Sequence, residues 1–451
     1  MKTLAQIALE LDGYDPQALP ADDVLRFIAK LVAPVQDIGN VPLFEALGRV
    51  LATDVVSPFD VPPHDNSAMD GYAFDGQQIS DGPLSLQVMG TAFAGKAWLG
   101  SVAPGQCVKI MTGAIMPKGL DTVVPQEFVS INGDVITIPP RLLKPGDNRR
   151  HRGEDLMQGK PALLKGELLT PARLGLAASL GLETLPCYRQ LKVAYFSTGD
   201  EILSLGEAPR EGAVYDSNRY TVFGLLSRLG CQVIDMGVVR DDPAALEAAF
   251  TQAAAQADAI ITSGGVSVGE ADHTKAMMKK LGDVAFWRIA MRPGRPMAVG
   301  RIKKPILNPI SSIKSTSSPI NTRAISYETN SNLNGCILFG LPGNPVAVMV
   351  TFLAFVRPAL LQMMGANAEP QPLLKARSQE AMRKKPGRTE YQRGWVSTAA
   401  DGTLQVKTTG NQGSGVLSSM AQANGLITLH HAQGNVAIND NIDVLMFDGI
   451  I

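Results

Sequence analysis

The sequence predicts a multidomain α/β and β protein: a central α/β domain with a mostly parallel sheet, a helical N-terminal module interrupted by a β-rich domain, and a small C-terminal β-barrel. Three observations predict it. From Leu191 to Thr262 strand-like and helix-like runs alternate; between residues 72 and 138 short alternating runs sit between two helical stretches; beyond Gly365 short strands recur with turns between them. A chain of 451 residues is too long for one hydrophobic core, so roughly two to four domains are expected.

Composition narrows the function classes. With 45% hydrophobic and 18% charged residues the chain is folded, and its formal net charge of -1 gives no reason to expect nucleic acid or an anionic membrane as partner. Cys107, Cys187, Cys231 and Cys336 are scattered and form no CxxC pair, which argues against a zinc site or a disulfide framework and fits a reducing compartment. The N-terminus lacks a basic leader with a long apolar core, and no stretch is expected to be long and apolar enough to span a bilayer. Cytoplasm is the expected location.

In chain order, Val24, Phe27, Ile28, Leu31 and Val32 share one helical face behind Asp22 and Asp23, and Pro34 closes that helix. A second helical piece is expected over 43–51. Prolines 58, 62 and 63 mark a change, after which runs such as Leu84–Val88 and Val135–Ile138 read as strands. Leu169 to Leu182, rich in Ala and Leu, returns the chain to helix. Val193–Phe196, Gln232–Val239 and Ala259–Thr262 read as buried strands, with helices over 220–229 and 243–256 between them, the pattern of a parallel sheet with right-handed crossovers. Residues 303–338 form a polar, low-complexity segment, read as a surface excursion. Pro345 opens a helix that Pro358 should kink. The expected domains are 1–52 with 150–184 (helical), 53–149 (inserted β-rich), 185–368 (α/β) and 369–451 (barrel).

In parallel sheets ligands bind beyond the carboxyl ends of the strands. There stands Thr262-Ser263-Gly264-Gly265-Val266-Ser267-Val268-Gly269-Glu270-Ala271-Asp272, an apolar run ending in glycines before a helix expected over 276–281. Glycines admit a phosphate close to the backbone, helix-start N–H groups face it, and Glu270 and Asp272 offer hard oxygens to a divalent cation. An ordinary strand-to-helix turn has the same grammar. The P-loop and the dinucleotide fingerprint are both absent. Met291-Arg292-Pro293-Gly294-Arg295-Pro296, preceded by Arg288, presents planar, permanently charged donors suited to a tetrahedral oxyanion. A hairpin with solvated arginines is the competing reading. Gly340-Leu341-Pro342-Gly343-Asn344-Pro345 fixes another helix start, as a ligand loop or a plain cap. Acidic residues recur at loop positions: Asp70, Asp200, Glu201, Asp216, Asp241 and Asp242. His430 and His431 are neighbours in a strand and so point to opposite faces, which argues against a shared metal.

Together with Asn66–Ala73 and Ser197–Glu201, these motifs in this order resemble the molybdopterin molybdenumtransferases, the bacterial MoeA and gephyrin E-domain family. The resemblance runs from Glu45–Leu51 to Thr409–Ser414. It implies a molybdopterin-binding α/β domain and a homodimer whose sites lie between the α/β domain of one chain and the Asp70-bearing domain of the other. It also implies insertion of molybdenum from molybdate into adenylylated molybdopterin with release of AMP, dependent on Mg²⁺. By motif position Asp70, Thr112, Glu201, Asp241 and Asp272 match the family's functional acidic and hydroxyl residues, with Asp272, Glu201 and Asp241 as magnesium ligands. Ser263, Gly264, Gly265, Ser267, Gly269, Gly294, Gly343 and Asn344 line the substrate, and Pro342 and Pro345 match structurally required prolines. Arg288, Arg292, Arg295, Arg393 and Ser414 fall at the anion site. Implied partners are the molybdopterin adenylyltransferase and apo-molybdoenzymes.

The sequence departs from the family pattern in three places. Arginine stands at 292 and 295 where lysine is frequent, Ala347 replaces a common serine, and the 303–338 connection exceeds the usual loop length by about 30 residues. Two other functions share parts of this pattern. An adenylyltransferase has the α/β domain and its glycine loop, but lacks the Met69–Tyr72 module and the C-terminal β-domain. A scaffold of the gephyrin kind would carry an appended binding domain.

Overall fold

The computed structural model describes residues 2–266, 273–305, 335–367 and 369–448. Ser267, Gly269, Glu270 and Asp272 of the glycine loop, and most of the polar 303–338 segment, lie outside the described residues. The chain forms two compact units, one of Met1–Thr53, Gly166–Thr170 and Thr184–Ile451, the other of Asp54–Lys165 and Pro171–Glu183.

In the larger unit the Ala21–Leu31 helix buries Val24, Phe27, Ile28 and Leu31, with Asp22 and Asp23 in its first turn, where carboxylates oppose the positive end of the helix dipole. Phe27 packs edge-on to Trp287 at 4.9 Å between ring centroids, and Trp287 Nε1 donates to Tyr14 Oη at 2.8 Å. The second helix expected over 43–51 is absent. Only a 3₁₀ turn, Leu43–Glu45, forms, after a strand Ile38–Pro42 that pairs antiparallel with Thr184–Tyr188. Val50 and Leu51 make isolated bridges to Leu168 and Cys187, so their backbone groups are engaged across the chain and not along a helix.

The central sheet has six strands in the order Gln232–Val239, Lys192–Thr198, Ala259–Ser263, Cys336–Leu341, Pro296–Ile302, Gly282–Arg288. The first four run parallel to one another, and Pro296–Ile302 runs antiparallel to both of its neighbours, Cys336–Leu341 and Gly282–Arg288. Ala259–Ser263 and Cys336–Leu341 are buried at every position, as expected for strands covered on both faces. Crossover helices Ser217–Arg228 and Pro243–Gln256 start at capping aspartates: Asp216 accepts from Arg219 N, and Asp242 from Ala244 N and Ala245 N.

Cys336–Leu341 leads into a continuous helical segment, Pro345–Met363. Its middle, Phe352–Val356, is a π turn, and α-helix resumes at Arg357–Met363. The break expected at Pro358 takes this form because the ring denies an N–H and crowds the preceding turn, and a wider turn relieves both. The segment also corrects the expectation about membranes. At 19 residues and mean hydropathy 1.8 it is long and apolar enough to cross one, but 78% of its most apolar window is buried, so here it serves as a core helix.

The C-terminal strands close on themselves. Thr389–Thr398 pairs with both Leu404–Thr408 and Gly425–Leu429, and Leu374–Ser378 and Asn441–Met446 complete a five-stranded ring around Val396, Val406, Ile427, Leu429 and Val444. Met291–Arg292 adds to this barrel in parallel, Met291 opposite Thr389 and Arg292 opposite Glu390.

In the smaller unit a six-stranded sheet runs Thr122–Pro125, Gly71–Phe74, Gln106–Ile110, Leu84–Ala92, Val135–Ile138, Ser130–Asn132. Ala73, Val108 and Val123 pack in one core and Tyr72, Phe74, Cys107 and Val124 in another, following strand alternation. Helix Pro171–Ser179 also belongs to this unit. All four cysteines are buried and free, and burial pushes the Cys107 thiol up to about 12, which leaves it unreactive.

Phe27 fills the space between its helix and Trp287. Phe27→Ala should cost about 3–5 kcal/mol, seen as an earlier urea transition in tryptophan fluorescence.

Candidate active site

Adjacent strands of the parallel sheet end level: Ser197 lies opposite Ser263, and Ser263 opposite Leu341. The loops that follow therefore open on one edge and enclose a cavity of about 1000 Å³. Thr198, Gly199 and Glu201 come from the first loop, Asp241 from the second, Gly264 and Gly265 from the third, and Pro342, Gly343 and Asn344 from the fourth. The Arg292–Pro296 turn, Arg388 and the barrel loop Gln412–Ser414 complete the lining.

Gly265 has φ +64°, and a Cβ there would meet Thr274 Cβ at 2.5 Å, so the tight approach of loop to helix requires glycine. Ser263 is 3% exposed. Its hydroxyl lies 2.7 Å from Tyr195 Oη and 3.2 Å from Ser197 Oγ, turned into the sheet and away from the cavity lining. Burial raises the Tyr195 phenol well above its ordinary value, so this cluster stays neutral.

The arginine turn follows from a tight fit. Gly294 has φ +93° and its absent Cβ would meet Thr351 Cγ2 at 2.6 Å. Arg292 and Arg295 flank it, both exposed, and neither guanidinium makes an ion pair or side-chain hydrogen bond among the described residues. Two desolvatable forks without a carboxylate are suited to an incoming oxyanion. Arg288 is not brought into the cavity. It ends the edge strand, with its N–H donating to Pro16 O and its carbonyl accepting from Leu19 N.

Pro345 occupies the first turn of its helix, and Asn218 Nδ2 donates to Gly343 O at 2.7 Å. Asn344 Nδ2 donates to Ser414 Oγ at 3.1 Å, and Val346 N to Ser414 O at 3.1 Å, so the α/β loop and the barrel loop are joined. Arg393 stands behind the barrel loop, fully buried. Burial, with a smaller effect of Arg292, lowers its guanidinium to about 10, which leaves it charged at neutral pH.

Arg388 escaped the sequence reading. Its Nε donates to Glu390 Oε1 at 2.7 Å, and Glu390 is 3% exposed, so a buried carboxylate holds the guanidinium at the cavity wall. The signal was present: Pro386-Gly387-Arg388 repeats the proline-glycine-arginine grammar of 293–295.

Glu201 and Asp241 bring two carboxylates to the cavity, and Asp241 accepts from Thr274 Oγ1 at 3.3 Å. Among the described residues no group of three His, Cys, Asp or Glu side chains gathers, and the third expected ligand, Asp272, lies outside them. Carboxylates and hydroxyls without lining cysteine or histidine are a donor set suited to a hard cation. His430 Nε2 pairs with Asp443 Oδ2 at 2.7 Å.

In the smaller unit Asp70 and Thr112, 42 residues apart, come together because Gly71 pairs with Ile110. Thr112 N and Oγ1 both donate to Asp70 Oδ1, at 2.6 and 2.7 Å, and these two bonds hold the carboxyl below its ordinary range.

Three family descriptions match in succession: MoeA N-terminal region (domain I and II) over residues 19–181, probable molybdopterin binding domain over 194–362, and MoeA C-terminal region (domain IV) over 375–447. The molybdopterin molybdenumtransferase of Haemophilus influenzae is 40% identical over 410 residues, 91% of this chain and 94% of that protein. The chain belongs to the molybdopterin molybdenumtransferase family. A member of the family from Nostoc sp. is 34% identical over 94% of this chain and 92% of its own. The crystal structure of the molybdopterin biosynthesis moeA protein from Pyrococcus horikoshii OT3 superposes with a TM-score of 0.74 at 26% identity, covering 95% of this chain and all of that one. The multidomain fold expected from the sequence is thus the fold of this family.

The depressed Asp70 carboxyl has a definite pH sign. Its charged form contributes stability above the unfolded carboxylate range, and that contribution is lost as pH falls through the lower folded value. Thr112→Val removes the hydroxyl donor and keeps the N–H. The Asp70 carboxyl should then titrate at higher pH than in the parent, read by carbon NMR; an unmoved titration would mean that the hydroxyl contributes nothing.

Proposed function

We propose that this chain acts in molybdenum cofactor biosynthesis as a molybdopterin molybdenumtransferase, inserting molybdenum from molybdate into adenylylated molybdopterin with release of AMP and dependence on Mg²⁺. The observation that carries the reading is one cavity holding an arginine turn with no ion pair among the described residues, a glycine loop at strand ends and two carboxylates. Family membership supports the transferase class.

The division of labour follows from the side chains. Arg292 and Arg295 offer forked donors to the tetrahedral molybdate dianion, and Arg388, held by Glu390, adds a third guanidinium. The Gly264-Gly265 turn lets a pyrophosphate approach the backbone. No cysteine lines the cavity, in keeping with sulfur ligands supplied by the pterin dithiolene. Glu201 and Asp241, together with Asp272, would hold the magnesium ion, which when bound neutralises phosphate charge. Holding anion and activated pterin side by side converts a bimolecular encounter into a local transfer, with AMP as the leaving group. The reading includes a homodimer in the cytoplasm that contributes Asp70 and Thr112 to function. Its partners would be the adenylyltransferase that supplies the substrate and the apo-molybdoenzymes that take the product.

The test supplies adenylylated molybdopterin, molybdate and Mg²⁺ to the purified chain, and follows AMP release and reconstitution of a molybdoenzyme. Both should occur, stop on chelation and resume with Mg²⁺. Asp272→Ala should abolish the magnesium-dependent AMP release; near-parental turnover would make the ligand assignment wrong. ATP-dependent adenylylation of molybdopterin would instead favour an adenylyltransferase, and inactivity on both substrates a scaffold.

A further inference from the structure

Arg393 is 0% exposed, and among the described residues none of its hydrogen bonds goes to a carboxylate. Its Nη1 donates to Gln412 O at 3.2 Å, its Nη2 to Asn411 O at 3.1 Å and Gly413 O at 3.0 Å, and its Nε to Ser419 Oγ at 3.0 Å. Its own N–H donates to Gln412 Oε1 at 2.8 Å, and Gln412 Nε2 returns a bond to Arg393 O at 3.2 Å. Four of the five guanidinium N–H groups are thus spent on the loop 411–413 and the helix turn behind it, and the group is closed to solvent, which leaves little for a bound anion.

The consequence lies on the other side of the loop. In a trans peptide the carbonyl and the following N–H point in opposite directions. Three consecutive carbonyls drawn towards Arg393 therefore turn the N–H groups of Gln412, Gly413 and Ser414 away from it. Gly413 N is taken by Asn411 Oδ1 at 2.9 Å, whereas the N–H groups of Gln412 and Ser414 find no acceptor among the described residues. Gln412, Gly413 and Ser414 line the cavity and Arg393 does not. Successive backbone N–H groups turned to one side form a nest for an anion.

We infer that Arg393 is a positioning residue that shapes the loop 411–414 into a backbone anion nest, and that it is not itself an anion ligand. The inference rests on the proposed function for the identity of the anion, a tetrahedral oxyanion, but the loop geometry stands apart from it. Ser414 then acts partly through its N–H and partly as the acceptor that anchors Asn344.

The test compares the parent chain with Arg393→Ala, Arg393→Lys, Ser414→Ala and the double variant Arg393→Ala/Ser414→Ala. The first measurement is hydrogen exchange in the absence of ligand. Arg393→Ala should speed exchange across residues 409–416 by about tenfold or more, as loss of local anchoring does, with the barrel strands unchanged. The second is the molybdate dependence of AMP release. KM for molybdate should rise by about 10- to 100-fold, the scale of a displaced binding group, with a smaller change in kcat, and Ser414→Ala should add no more than about twofold to Arg393→Ala, since both act through one element. Unchanged loop exchange with a raised KM, or multiplicative effects in the double variant, would make Arg393 a direct ligand and overturn the inference. If Arg393→Ala does not fold, Arg393→Lys carries the exchange arm: its single ammonium cannot span the same carbonyls, so parental exchange there also overturns it. Absence of molybdate-dependent turnover in the parent would defeat the proposed function, while the exchange result would still decide the role of Arg393.

Discussion

The register of three parallel strands is the constraint on which the rest depends. Lys192–Thr198, Ala259–Ser263 and Cys336–Leu341 pair residue for residue, with Ser197, Ser263 and Leu341 abreast. Side chains alternate along a strand, so a slip of one residue would exchange the hydroxyl cluster of Tyr195, Ser197 and Ser263 with the apolar set of Ala194, Phe196 and Ile260. Burial on both faces makes such a slip costly, and the loops consequently leave the sheet at a common level.

A cavity at the edge of one sheet would be open on its far side. Here the barrel closes it through backbone contacts: Met291–Arg292 pairs with the barrel strand, Thr389 N donates to Ala290 O, and the Ser414 loop receives Asn344 and Val346. The arginine turn is thus held from two directions, by the antiparallel strand that follows it and by the barrel. Positively charged groups without internal partners repel one another, and a rigid frame is what keeps Arg292 and Arg295 at the wall despite that cost.

Much of this was legible in the sequence where one period dominated. The strands of the α/β domain are apolar runs of strand length and its helices carry caps and prolines, so their positions followed from local chemistry. The segment 43–51 misled for a physical reason. Its spacing of Leu43, Phe44, Leu47 and Leu51 suits a helix, but Phe44 is fully exposed and Leu47 is 59% exposed, so the apolar residues do not share a buried face. At the site, sequence identified residue types and not their direction. Arg388 stands just before the strand that carries Arg393, five positions away, yet one guanidinium is sealed among carbonyls and the other faces the cavity. The pairing of Asp70 with Thr112 is likewise a product of strand register that spacing alone does not disclose.

The helix Pro345–Met363 bears on how the chain survives its own synthesis. A ribosome delivering a segment this apolar presents the cell with something that membrane-insertion machinery accepts by length and composition. Every strand of the sheet it packs against, from Lys192 to Leu341, has by then already been made. The greasy segment therefore emerges next to a waiting surface of its own chain, and vectorial synthesis favours capture by the nascent domain over capture by the bilayer.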